Sequence, residues 1–332
     1  MTATETRTRP TIAKRRRPGS LEILGVILLL GVVLRDPLRK LFAIAGMRTW
    51  ATVFTSVSVQ AVPFLVLGVV ISGAIAAFVP ASFFRKVLPA RAGFAVPVAG
   101  ACGALLPGCE CGSIPIANRL MDRGVRPSAA LAFLLSAPAI NPVVLVATAV
   151  AFTTDHRMVW ARLVAGLLTA VVVGWIWEKI GRPEWLAPRL RSSLTDDVTG
   201  WPAFLATIRT DFTQAAGFLV MGASVAATFK VLVPATFMTH VGSSIALSVL
   251  LMAVLAFMLA LCSEADAFVA ASFTTIPMVG KLVFLTVGPA VDVKLAALQA
   301  GTFGRKFAMR FAPLTMLVAI AVGVGTGLVF FR

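Results

Sequence analysis

Apolar runs of helical length, separated by short basic connections, recur along nearly the whole chain. A first run at 21–34 gives way to an amphipathic connection carrying Arg35, Arg39, Lys40 and Arg48. The run at 52–79 contains Pro63 and ends in the turn sequence VPASF, and Arg85, Lys86 and Arg91 make the next basic loop. Residues 94–106 lead into a Cys-Glu-Cys sequence and 113–121 leave it, before a basic group at Arg119, Arg123 and Arg126. Runs at 128–152 and 158–177 predict two full helices, the first interrupted by Pro138-Ala139-Ile140-Asn141-Pro142. A helix needs about 20 mostly apolar residues to cross the hydrocarbon core of a bilayer. The pattern predicts an all-α, polytopic membrane protein.

Past the long polar segment 179–201 the pattern starts again. PFLVLG at 63–68 matches GFLVMG at 217–222, and VPASF at 79–83 matches VPATF at 233–237 at the same offset. Glu110 then aligns with Glu264, SAPAIN at 136–141 with VGPAVD at 287–292, and Arg162 more loosely with Arg310. Ordered matches at near-constant spacing predict two internal repeats. The expected organisation is a basic cytoplasmic tail at 1–20, a first helix and connection at 21–49, repeat 1 at 50–178, a cytoplasmic linker at 179–203 and repeat 2 at 204–332. With the N-terminus in the cytoplasm, most Lys and Arg fall in inside loops, and corresponding loops of the halves carry opposite charge bias; the connection with Arg35 to Arg48 runs against this. Such bias predicts inverted repeats with broken or re-entrant helices at the centre.

Composition sharpens the class. Of 332 residues 58% are hydrophobic and only 13% charged, about half the charged fraction of a soluble protein. The net charge of +16 lies mostly in tails and short loops, so it predicts a bilayer partner and plasma-membrane insertion rather than nucleic-acid binding. Cys102, Cys109, Cys111 and Cys262 all fall in apolar or broken-helix segments, which argues for thiols as packing groups or soft ligands rather than a disulfide framework. His156 and His240 lie at helix ends and read as surface residues. No Walker-type loop, catalytic triad or metalloprotease motif is present; the reading is of a non-enzyme without a cofactor, with protons as the coupling ion to consider.

Residues 103–142 are the candidate transport site. Pro107, Gly108, Gly112 and Pro115 surround the Cys-Glu-Cys sequence and are expected to break the backbone there; Pro138, Pro142 and Pro289 mark the later breaks. Non-helical backbone at membrane depth survives only where it is buried in protein or lines a wet cavity. Each charge there costs roughly 2.5–3.5 kcal/mol on insertion scales, so Glu110, Glu264, Asp266, Asp292 and Lys294 have to pair, hydrate or bind something. Asp292 and Lys294 are expected to neutralise each other in part. Glu110 and Glu264, one from each half, are expected to face a shared cavity with Asn141 and Asp292 in its lining. Thiolates select soft, thiophilic species, which makes Cys109, Cys111 and Cys262 candidate solute contacts beside Ser263, Glu264 and Asp266. Cys109, Cys111, Glu110 and Glu264 are the candidate metal ligands.

The segments LLPGCECGSIPIANRLMDRGVRPSAALAFLLSAPAINP, LCSEADAFVAASF and VGPAVDVK resemble the ArsP-type predicted permeases over roughly residues 50–330. The resemblance implies an inner-membrane permease, in a family where some members export trivalent organoarsenicals, with the substrate-binding cysteine role carried onto Cys109, Cys111 and Cys262. The acids at Glu110, Glu264 and Asp266 keep a divalent or soft metal cation open as the solute. A membrane component that docks a substrate-carrying protein, and a thiol oxidoreductase, are the readings from other classes.

Overall fold

The computed structural model describes residues 45–78, 89, 91–105, 110–186, 200–232, 245–273 and 275–332. The chain divides into the units Met1–Arg48 and Thr49–Arg332. Only residues 45–48 of the first are described, so the expected tail at 1–20 and helix at 21–34 lie outside the described residues, as do Pro107, Gly108, Cys109 and most of the linker.

Every regular element among the described residues is a helix. In chain order these are α1 (Ala45–Phe78), α2 (Ala92–Cys102) with a 3-10 turn at Gly103–Leu105, and α3 (Glu110–Asp122). There follow α4 (Pro127–Ile140), α5 (Pro142–Ala151), α6 (Arg157–Ile180) and α7 (Trp201–Leu232). The chain finishes with α8 (Ile245–Leu259), α9 (Asp266–Ser272), α10 (Met278–Ala290), α11 (Val293–Phe303) and α12 (Arg305–Phe330). Among the described residues five stretches are long and apolar enough to cross a membrane: Gly46–Ile75, Pro127–Ala151, Arg157–Ile180, Met278–Phe303 and Arg305–Phe330. The protein is a polytopic, all-helical membrane protein. The helix expected over 52–79 begins already at Ala45, so Arg48 belongs to its first turn rather than to a loop.

Burial explains which helices sit at the centre. α4 from Ser128 to Ile140 and α10 from Val279 to Ala290 are buried on every side, as a helix apolar all round requires. Outer helices keep apolar side chains exposed, such as Trp160 on α6, Leu250 on α8 and Leu317 on α12, where lipid replaces water as the solvent. α4 packs on α2, α3 and α6, α10 packs on α8 and α12, and α6 packs on α12 to join the two sets.

Both central spans are broken, and the sequence explains where. α4 ends at Asn141, whose Nδ2 donates to Ala137 O at 3.0 Å while its Oδ1 accepts from Val144 N at 2.9 Å. One side chain thereby closes the end of α4 and caps the start of α5, with Pro142 at a position that needs no N–H. The second break falls at Val291 and Asp292, where Asp292 Oδ1 caps α11 through Leu295 N at 2.5 Å. Pro138 and Pro289 sit inside the preceding helices rather than at the breaks. Pro138 has no N–H to offer the Leu134 carbonyl, and Ser113 Oγ of α3 lies 3.3 Å from that oxygen as a donor.

Two expected breakers do not break anything. Gly112 and Pro115 lie within the continuous helix α3. Gly112 serves close packing: a Cβ on Gly68 of α1 would lie only 2.4 Å from Gly112 Cα, so the two backbones touch where any larger residue would separate them. The Pro115 carbonyl accepts from Ser72 of α1 at 3.3 Å, so α1 also covers the second turn of α3.

Candidate functional site

The buried acids and Lys294 stand at helix starts, while the buried Arg162 lies within α6. Glu110 opens α3, Asp266 opens α9, and Asp292 and Lys294 open α11. The approach to α9 is itself unusual: Ala260 has φ of 46°, a left-handed value rare for a residue with a Cβ. Beyond it the Cys262 carbonyl accepts from the backbone N–H groups of Ala265 and Asp266, at 2.9 and 3.1 Å, which turns the chain into α9.

These segments meet. Lys294 Nζ donates to Glu110 Oε1 at 2.5 Å and lies 3.9 Å from Asp292 Oδ2. Ser263 Oγ donates to Glu110 Oε2 at 3.2 Å. Arg162, from α6, donates to both carboxylate oxygens of Asp266 at 2.9 and 3.1 Å and to the Ser263 carbonyl at 2.9 Å. Its other terminal nitrogen donates to Thr148 Oγ1 of α5 at 2.9 Å. Glu264 is near enough to repel Glu110 and to attract Arg162 and Lys294. Glu110, Asn141, Arg162, Ser263, Asp266, Asp292 and Lys294 are each at most 2% exposed. Charges so buried persist only when paired and hydrogen-bonded.

The two strong pairs cross. Glu110 and Arg162 precede the linker; their partners Lys294 and Asp266 follow it, 184 and 104 residues away in sequence. The close approach that places Lys294 depends on a second glycine, since a Cβ on Gly222 of α7 would lie 2.8 Å from Lys294 Cα.

Four carboxylates, Glu110, Glu264, Asp266 and Asp292, face two cations, Arg162 and Lys294, which leaves two formal negative charges over. Neither carboxylate oxygen of Glu264 has a hydrogen bond, nor does Asp292 Oδ2. Among the described residues no group of three or more His, Cys, Asp or Glu is arranged to hold a metal ion. Cys262 is buried and not in a disulfide, Cys102 is half-buried, and Cys111 sits in the first turn of α3.

The expected site residues Glu110, Ser263, Glu264, Asp266 and Asp292 therefore share one centre, with Cys262 beside Ser263. Asn141 caps the α4–α5 break. The expected neutralisation of Lys294 by Asp292 is secondary, because Glu110 is much the closer acid. Arg162 and Thr148 were not anticipated as site residues. An arginine inside an apolar helix of 24 residues was the available signal. Its supposed counterpart Arg310 is exposed and lies 4.6 Å over the Trp185 ring, a different environment.

A multi-pass helical bundle with broken spans and buried, crossed ion pairs at its centre is the build of a permease rather than of a soluble enzyme. Residues 47–328 match the family model ArsP_1, described as a predicted permease, and the chain belongs to that family. It is 32% identical over 275 residues to a Streptococcus mutans protein named "Putative two-component membrane permease complex subunit", covering 81% of this chain and 91% of that one. It is 33% identical over 283 residues to the Bacillus subtilis protein named "UPF0718 protein YcgR", covering 82% and 94%. No solved structure matches the chain.

Proposed function

We propose that this protein is a plasma-membrane permease that exports a small thiophilic solute by alternating access, with the solute passing through the buried centre formed by the starts of α3, α9 and α11. The crossed ion pairs carry this reading. They join residues before the linker to residues after it, Glu110 to Lys294 at two helix starts and Arg162 within α6 to Asp266 at the start of α9. Movement of one side against the other at this centre therefore remakes them. Cys109, Cys111 and Cys262 would contact a soft solute of the trivalent-arsenical kind, and the acids would balance charge or carry protons.

A two-repeat architecture is supported by the order of elements, and its inversion by the opposite charge bias of corresponding loops. A long helix, a short apolar helix, a short helix, a broken pair and a long helix occur from α1 to α6 and again from α7 to α12. Asn141 and Asp292 cap the corresponding breaks, and the aligned Gly68 and Gly222 both permit close backbone approach. The N-terminus is taken as cytoplasmic from loop charge. The name of the Streptococcus mutans relative supports a second protein component for this chain as well.

The test is accumulation of methylarsenite, antimonite, zinc, cobalt and copper in a sensitive host expressing the protein. Wild type should lower accumulation of at least one, and Glu110→Gln should abolish that effect at equal protein in the membrane. Wild-type efflux from E110Q would remove the acid from the mechanism. Flux in liposomes holding only the purified chain would exclude a pure docking role.

A further inference from the structure

The spans Arg157–Ile180 and Arg305–Phe330 end and begin side by side. Trp177 of α6 packs edge-on to Phe307 of α12 at 5.0 Å and to Phe311 at 5.4 Å. Past Gly181 the chain makes a turn of 3-10 helix at Pro183–Trp185, and Trp185 packs edge-on to Trp177 at 5.8 Å. Two guanidinium groups lie over the Trp185 ring, Arg310 at 4.6 Å from its centre and Arg182 at 5.9 Å. Stacking engages the flat face of a guanidinium and leaves its in-plane N–H donors free. Arg310 spends one terminal nitrogen on the Lys306 carbonyl, at 3.1 Å.

The charge at this edge is not balanced. Lys179, Arg182, Arg305, Lys306 and Arg310 are all exposed, and among the described residues none has a carboxylate partner. Glu178, in the last turn of α6, is taken by Arg126 at 2.8 Å and by Ser128 at 2.5 Å. The exposed acid Glu184 is left against five cations. Water alone does not account for Arg310, which is the sixth residue of its span and lies about 8 Å along the helix from its start. It shares the exposed stripe of α12 with Lys306, Pro313 and Leu317, the stripe that faces lipid. An unpaired arginine at that depth is costly unless an anion meets it. The anion available there is the phosphodiester of a phospholipid, two of whose oxygens a guanidinium can take at once.

We propose that the end of α6 and the start of α12 form a binding site for one anionic glycerophospholipid, its phosphate held by Arg310 and Arg182 and its acyl chains along the stripe through Leu317. Lys179, Arg305 and Lys306 select a headgroup with net negative charge, because a zwitterionic one brings its own cation into the patch. Bound there, the lipid ties the last turn of α6 to the first turns of α12, which stand on opposite sides of the linker in sequence. Neither the identity of the solute nor the direction of transport enters into this.

Lipid binding to the purified full chain in detergent, counted by native mass spectrometry with added phosphatidylglycerol or phosphatidylcholine, tests this without any measurement of flux. Wild type should retain phosphatidylglycerol and release phosphatidylcholine at the same concentration. Arg182→Gln and Arg310→Gln should each weaken phosphatidylglycerol binding about fivefold, and the double variant about twentyfold. Both arginines are exposed, so these variants should fold as wild type does. Arg157→Gln, at the opposite end of α6, should leave binding unchanged. Equal retention of the two lipids, wild-type binding in R182Q/R310Q, or a loss in R157Q as large as in R310Q would each overturn the proposal. So would displacement of the lipid by equimolar glycerol 3-phosphate, which would make this a site for a soluble phosphate.

Discussion

Removing Asp266 while keeping Arg162 should be among the most damaging single changes in the protein. The two side chains are 1% and 3% exposed, and the guanidinium reaches both carboxylate oxygens. A carboxyl can shed its charge by taking up a proton, whereas a guanidinium stays charged. Asp266→Ala therefore leaves a permanent buried cation hydrogen-bonded only to Thr148 and the Ser263 carbonyl, with Glu264 near enough to attract it but not bonded to it. Breaking one partner of a buried pair costs about 3–5 kcal/mol. For a chain of this size that corresponds to a fall in Tm of about 4–7 °C. Arg162→Met should cost less, for the protonation reason just given. The double variant R162M/D266L carries no stranded charge and should recover most of the D266A loss. Some loss should remain, because the Ser263 carbonyl keeps no donor, worth about 1–3 kcal/mol. The assay is thermal denaturation in detergent followed by size-exclusion recovery, run on wild type, both singles and the double. A double variant whose loss equals the sum of the single losses, or D266A as stable as wild type, would refute a coupled buried pair here.

Other consequences follow from packing and capping. Gly112→Val should separate α1 from α3 and lower stability by about 1–3 kcal/mol through overpacking, read by the same melt, with reduced flux because Glu110 lies two residues away. Asn141→Ala removes the cap on Val144 N and should cost about 0.5–2 kcal/mol, while Asn141→Asp should retain most of it. Cysteines introduced at Ser82 and Thr239, both outside the described residues, should be labelled from opposite sides of the membrane. Labelling from one side would refute the inverted arrangement.

Much was legible from local pattern alone. Hydropathy and the Pro-Ala-Ile-Asn-Pro run announced a broken apolar helix because capping depends on neighbours in sequence, and Asn141 caps what stands three and four residues away. The buried acids were legible because a charge in an apolar run has few excuses. Gly112 and Pro115 were misread for the complementary reason. Sequence gives glycine and proline the same reputation as breakers, but a glycine needed for contact with Gly68 looks no different from one that bends the chain.

The chain by itself thus determined the class, the breaks and which residue types had to be accommodated away from water. Tertiary structure alone decided the partners: that Lys294 lies on Glu110 more closely than on its neighbour Asp292, and that Arg162 serves Asp266 while Arg310 rests on Trp185. The physical reason is range. Hydrophobic periodicity and capping act over a few residues, whereas charge pairing in a low-dielectric interior is settled by whichever helices packing brings together, here across 104 and 184 positions of sequence.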